Sequence, residues 1–363
     1  MIEPAYSRSR GTGQPAISAV SKWLLGLKTS PPRLNLALQG GGAHGAFTWG
    51  VLDALLADPR IEFEGLSGSS AGAMNAVIFA SGWMNGGRDG ARQALLDFWT
   101  EVGKQMPRGM MTQGQGDTFS LTPTSKLLVK WAGYFSPSQL NPFDLNPLRD
   151  LLNRQVDFGQ LRVRSPFKLF VGTTQANSGK LRVFRESELN VDVLLASACL
   201  PTIHHPVEIG GESYWDGGYS GNPAVFPLFY DCDSCDVLLI LLSSLKREGT
   251  PRSVEEIETR IVELAFSANF MREMRMFADA TELSSQQFFK LGKLERRLQS
   301  MRWHMIDSSH LASLQRNETK LFAHGPFLEL LRNQGRECAY AWLSAKSDDI
   351  GQRSTVDLKQ CFA

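Results

Sequence analysis

Leu34-Asn35-Leu36-Ala37-Leu38-Gln39-Gly40-Gly41-Gly42-Ala43-His44-Gly45 sets the fold, and Ile61-Glu62-Phe63-Glu64-Gly65-Leu66-Ser67-Gly68-Ser69-Ser70-Ala71-Gly72 repeats its logic. Each begins as an apolar run of strand length and ends in small residues. A helical pattern follows each time. Phe47, Val51, Leu52 and Leu55 recur at helical spacing after the first, and Ala71 to Ser81 is a small-residue helix after the second. Strand, loop and helix, twice in succession, predict an α/β fold with a parallel sheet.

Working outward, residues 1–32 read as a leader that ends in Ser30-Pro31-Pro32, and residues 33–245 as the main domain. Within it, 103–147 is dense in Gly, Pro, Ser, Thr and Gln, with Met106, Met110, Met111, Phe119, Trp131, Tyr134 and Phe135 scattered through it. An irregular insertion of that length suggests a lid or binding loop, with a short helix at Lys126 to Trp131. Phe167 to Thr173 and Val237 to Leu242 read as strands, and Val191 to Ala198 as a helix. Beyond Ser244 the composition becomes helical, so 246–363 is expected to be a helical C-terminal region. Its first helix, Ser253 to Ala278, carries Ile257, Ile261, Leu264, Ala268 and Met271 as one stripe. Ser284 to Ser300 and Pro326 to Ala345 are further helices, with a strand at Met301 to Ile306. Phe288, Leu291, Leu294, Leu298 and Met301 share a face flanked by Lys290, Lys293, Arg296 and Arg297. That pattern fits a core helix better than a membrane-surface one.

Composition narrows the function. Thirty-eight basic and 37 acidic residues give a net charge of +1, so no bulk field draws nucleic acid. No apolar run approaches the roughly 20 residues of a membrane span. The start of the chain lacks the form of a secretory signal. Five cysteines in 363 residues are too sparse for a disulfide framework. Cys232-Asp233-Ser234-Cys235 has a metal-like spacing but lacks a second ligand pair. The expectation is a cytoplasmic protein without metal or cofactor, with peripheral membrane contact left open. The oligomeric state is not legible.

The chemistry concentrates in three places. Gly68-Ser69-Ser70-Ala71-Gly72 is G-x-S-x-G at a strand–helix junction, where a sharp turn would hold the Ser70 hydroxyl against the positive end of the next helix. Gly40-Gly41-Gly42 leaves backbone N–H groups bare to face an anion, such as the oxyanion of acyl transfer. The same glycines with Gly45 also fit G-x-G-x-x-G, a nucleotide fingerprint, for which Glu64 would be the ribose acceptor. Asp216-Gly217-Gly218 is a turn whose weight comes from its company. A serine elbow needs a base, and in an α/β-hydrolase order His304, His310 or His324 could serve instead.

Together these elements resemble the patatin-like phospholipase family, over roughly Leu34 to Ser244. Ser197-Ala198-Cys199-Leu200-Pro201 and Asn222-Pro223 match as well. The resemblance implies a three-layer α/β/α sandwich with a mostly parallel central sheet. It also implies a Ser70–Asp216 dyad without histidine, an oxyanion hole from Gly40, Gly41 and Gly42, fatty-acyl lipid or phospholipid substrates, and no metal. His44 departs from the Arg or Lys that many members carry there, so a fixed charge is replaced by a titratable one. The expected reaction is ester hydrolysis through an acyl-serine. Alternatives are acyl transfer or thioester hydrolysis through the same intermediate, nucleotide binding by the glycine loop, and lipid binding without turnover.

Overall fold

The computed structural model describes residues 31–105, 109–114, 119–132, 136–141, 145–246, 249–286 and 292–363. Most of the expected leader, and Met106, Tyr134, Phe135, Phe288, Lys290 and Leu291, lie outside the described residues.

Eight strands form one sheet in the order β10-β9-β1-β2-β5-β8-β7, with β6 also paired to β5. These strands are β1 (Arg33–Leu38), β2 (Glu62–Ser69), β5 (Lys168–Gln175), β6 (Leu181–Arg185), β7 (Val207–Ile209), β8 (Glu212–Asp216), β9 (Asp236–Ile240) and β10 (Arg302–Ile306). From β10 to β5 every pairing is parallel. Beyond β5 the pairings with β6 and β8, and β7 with β8, are antiparallel.

Strand β9 shows why the fold has three layers. Leu238, Ile240 and Leu242 enter one apolar core, while Val237, Leu239 and Leu241 enter the other. Successive side chains point to opposite faces, so a run apolar at every position must be covered on both sides. Helices Gly45–Ala57, Ala71–Lys104 and Gly325–Lys346 contribute to the first core. Phe226–Asp231, Val254–Ser285 and Leu358–Phe362 contribute to the second. The mostly parallel α/β/α sandwich is as the sequence implied.

The region 246–363 is largely helical but adds β10 to the edge of the main sheet, so the sheet continues across the composition shift at Ser244. Helix Val254–Ser285 starts at Ser253, which caps it with Glu256. Three members of the expected stripe are turned outward, Ile257, Ile261 and Leu264 being 42%, 60% and 47% exposed, while Met271 packs against the second core. The face that packs instead carries Phe270, Met274 and Phe277. The helix has two apolar faces, and the one with the larger rings meets the sheet.

Within 103–147, β3 (Met111–Gln113) pairs antiparallel with β4 (Phe119–Leu121), and a helix spans Pro123–Ala132. Met111, Phe119 and Leu121 are buried, and the Phe119 ring lies 5.2 Å from that of Phe327. This part of the insertion is docked on the core rather than standing free of it.

Candidate active site

Ser70 follows β2 and precedes helix Ala71–Lys104, with φ 54° and ψ −126°. It is the only non-glycine with positive φ among the described residues. That backbone is costly for a side-chain-bearing residue and persists where the surroundings impose it. Here they do. A Cβ on Gly72 would stand 2.1 Å from the Leu38 carbonyl oxygen, and one on Gly68 would strike Gly72. The Ser70 N–H donates to Ser197 Oγ at 3.0 Å, and Ser197 Oγ in turn donates to the Gly172 carbonyl at 2.6 Å. Ser70 O accepts the N–H of Met74. The neighbouring Ser69 points elsewhere, donating from Oγ to the Gly221 carbonyl at 2.6 Å.

Asp216 ends β8. Its N–H donates to the Cys199 carbonyl at 2.8 Å, and its own carbonyl accepts Thr174 Oγ1 at 2.8 Å. One carboxylate oxygen accepts the Gly218 N–H at 2.7 Å, the bond that makes Asp216-Gly217-Gly218 a turn. The Ser70 side chain lies close enough to the carboxylate to favour its ionised form. Only 1% of Asp216 is exposed. Burial pushes its carboxyl up to about 7, against the opposing pull of the Gly218 N–H and the Ser70 side chain. An aspartate ordinarily titrates well below the histidine range; burial moves this one into it.

The glycine loop differs from expectation at one position. Gly40 N–H donates to Asn222 Oδ1 at 2.7 Å, and Asn222 Nδ2 donates back to the Gly40 carbonyl at 3.3 Å. A proton already given to an amide oxygen is not free for an anion, so Gly40 is a clamped hinge of the loop. Gly41 and Gly42 are the remaining pair of the three amides. The motif showed Asn222 without showing its partner, because the two residues are 182 apart in sequence.

His44 is fully enclosed. Its Nε2 meets Thr319 Oγ1 at 2.7 Å, and its ring packs edge-on to Phe327. Burial first, and the nearby Lys320 charge second, hold it well below the usual histidine range. It is a neutral core group, not a cation for an oxyanion. The other histidines considered as a base are engaged elsewhere. His304 bonds Asp236 and Thr355 at 3.1 Å each. His310 lies against the Cys338 thiol, and His324 precedes helix Gly325–Lys346 beside Phe119.

Two side readings find structural explanations. Glu64 accepts the N–H groups of Asp233 and Ser234 and an ion pair from Lys168, which ties loop to sheet and leaves it no ribose to hold. Cys232 is buried, which pushes its thiol up to about 12. Arg297 fans across this loop, donating to the carbonyls of Phe229, Cys232, Asp233 and Ser234 and to Cys235 Sγ. No cluster of three metal-ligating side chains occurs among the described residues. No helix among them is long and apolar enough to cross a membrane.

Residues 36–229 match the model of the patatin-like phospholipase family. The chain belongs to that family. The matched stretch contains the glycine loop, the serine elbow and Asp216, and membership supports a lipid acyl hydrolase acting on lipid substrates. Among solved structures, VipD from Legionella pneumophila is similar over 84% of this patatin-like chain and 67% of its own, with 15% identity and a TM-score of 0.34. No curated protein matches.

Proposed function

We propose that this patatin-like protein hydrolyses fatty-acyl esters of lipids through a covalent acyl–Ser70 intermediate, with Asp216 as the only side-chain base. The observation that carries this reading is the placement of the strained, elbow-borne Ser70 beside a carboxylate sealed from solvent, close enough to favour its ionised form.

Each step follows from that pairing. As Ser70 Oγ attacks the ester carbonyl carbon, its proton passes to the Asp216 carboxylate. The carbonyl oxygen becomes an oxyanion, which the Gly41 and Gly42 amides receive. The first N–H groups of helix Ala71–Lys104 add a positive end to the same place. When the intermediate collapses, the alcohol leaves with the proton from Asp216, and the acyl group stays on Ser70. Water then attacks the acyl-enzyme, losing its proton to Asp216; as that intermediate collapses, the bond to Ser70 Oγ breaks, Oγ takes the proton back from Asp216, and the fatty acid is released.

Asp is ordinarily a weak base, with a reference value near ~3.9. Raised to about 7, Asp216 has a proton affinity suited to neutral pH while still being ionised in a useful fraction of molecules. Burial thus supplies what a histidine would otherwise bring.

The test is a fluorophosphonate label mapped by mass spectrometry, together with Ser70→Ala assayed on p-nitrophenyl acyl esters. The expected adduct is on Ser70 and the expected variant is folded and inactive. A labelled Ser69, or turnover in Ser70→Ala equal to wild type, would overturn the assignment.

A further inference from the structure

The glycine loop is covered by a segment outside the family-matched stretch. The short helix Asn317–Leu321 packs so closely that a Cβ on Gly42 would stand 2.2 Å from the Lys320 carbonyl oxygen. Thr319 of the same helix holds His44 through Oγ1. The Lys320 side chain is half-buried. Its ammonium has one hydrogen bond among the described residues, a long one of 3.4 Å to Ser243 Oγ. Ser243 follows Leu242, whose side chain lies against Gly41, and both backbone N–H groups at 242 and 243 are gathered by Gln39 Oε1. Lys320 is therefore bound into the same knot as Gly41 and Gly42.

The charges facing it do not cancel it. On helix Val254–Ser285, Glu263 attracts Lys320 but also pairs with Arg260 at 3.0 Å and accepts the Asn317 amide. Glu318, next along the chain, pairs with Lys126 at 3.3 Å. His44, behind the loop, is neutral. Among the described residues, Arg260 and Lys320 share Glu263, so their summed charge there is positive beside the loop. An ammonium with three donors, a single long bond and only a shared carboxylate retains charge to act on its surroundings.

We propose that Lys320 is a positioning residue of the hydrolytic centre, setting a positive charge behind the Gly41 and Gly42 amides and strengthening them as donors to the anionic intermediate. This rests on the acyl-serine reading above. The C-terminal region then completes the site rather than merely flanking it.

The charge acts when the oxyanion forms, so its loss should appear in kcat rather than KM. The full-length protein is assayed on an uncharged p-nitrophenyl acyl ester, which removes any role of a lipid phosphate. Lys320→Met should lower kcat about tenfold, less than loss of a direct oxyanion donor, with KM within about twofold. Lys320→Arg should restore most of it. The wild-type activity should also fall on the alkaline side below the ordinary lysine range, because burial lowers the Lys320 ammonium and only the charged form serves. That alkaline limb should move upward in Lys320→Arg. Should Lys320→Met fail to fold, the displaced limb in Lys320→Arg still decides. Wild-type kcat in Lys320→Met, or an alkaline limb unmoved in Lys320→Arg, overturns the proposal. Ser70→Ala run in parallel separates the two readings: if it is inactive while Lys320→Met is unimpaired, only the Lys320 role fails, whereas an active Ser70→Ala removes the hydrolytic reading itself.

Discussion

Asp216 and Asp236 are both sealed in the same sheet, at 1% and 2% exposure, and are driven in opposite directions. Asp236 begins β9, level with Leu34 of β1 and Arg302 of β10. Its oxygens receive Arg302 in a two-pronged pair, His304 Nε2 and the Gly351 N–H. Burial alone would raise its carboxyl, but these partners hold it below the ordinary carboxylate range. Asp216, at the far end of β8, receives one backbone N–H, has the Ser70 side chain beside it and, among the described residues, no cation, and it rises to about 7. A carboxylate that fastens strands together is given counterions. The one proposed here to accept a proton is left without them. Burial by itself does not mark a base, because Glu273 is also pushed up to about 7. Its carboxylate accepts the N–H groups of Val225 and Phe226 at the start of a helix, a capping role.

The largest effect that would break this comparison is on activity. Asp216→Asn should lower kcat/KM by about a thousandfold or more, as loss of a general base does. Asp236→Asn should leave the rate per folded molecule near wild type, because Asp236 lies at the opposite end of the strands. Steady-state kinetics corrected for folded fraction by circular dichroism would show it. Equal losses in both variants would erase the distinction.

Stability should move the other way. Raising a carboxyl from 3.8 to about 7 corresponds to about 4 kcal/mol against the ionised form. A raised folded value favours the folded state at low pH: the contribution is fully present below 3.8 and is lost progressively as pH rises from there through about 7. Asp216→Asn should therefore gain on wild type as pH rises, its advantage at pH 8 exceeding that at pH 5 by about 2 kcal/mol or more, with the two near equal only below the ordinary Asp value. Urea unfolding at the two pH values reads this directly. No gain at pH 8 would mean that Asp216 is not held ionised against its surroundings.

The smaller effect belongs to Asp236. Its lowered value gives stability that is present above the ordinary Asp range and lost as pH falls through it. Arg302→Met removes the two-pronged partner but leaves His304 and the Gly351 N–H. Arg302 is partly exposed, so the cost should be about 2 kcal/mol rather than the full penalty of an orphaned buried charge. A loss below about 0.5 kcal/mol would show that the pair contributes little to the sheet.

The elbow was legible because its constraints are local. Leu38, Gly68, Ser70 and Gly72 meet through two adjacent strand–turn–helix units, and the glycines are required by atoms a few ångströms away. The parallel half of the sheet was legible for the same reason. Asp216 could be picked out only by its company, since Asp-Gly-Gly is an ordinary turn and its burial depends on Cys199, Thr174 and Ser70 from distant positions. Strands β7 and β8 are short and half-exposed, so they lack the apolar run that marks β9. The clamp of Asn222 on Gly40 and the cover of Lys320 on Gly42 are long-range meetings that no spacing encodes. Periodicity found the helix Val254–Ser285 but not that Phe270, Met274 and Phe277 carry its packing face, because a helix pattern does not say which of two stripes meets the sheet.

The central claim is that Asp216 takes the Ser70 proton, and the rate of Ser70 labelling by a fluorophosphonate, followed against pH, tests it most directly. The wild-type rate should fall as pH drops through about 7, as the Asp216 carboxylate is protonated. Asp216→Asn should label slowly at every pH and lose that limb, while His304→Ala, His310→Ala and His324→Ala keep it. A folded Asp216→Asn protein that labels Ser70 at the wild-type rate, with the same acid limb, would contradict the account.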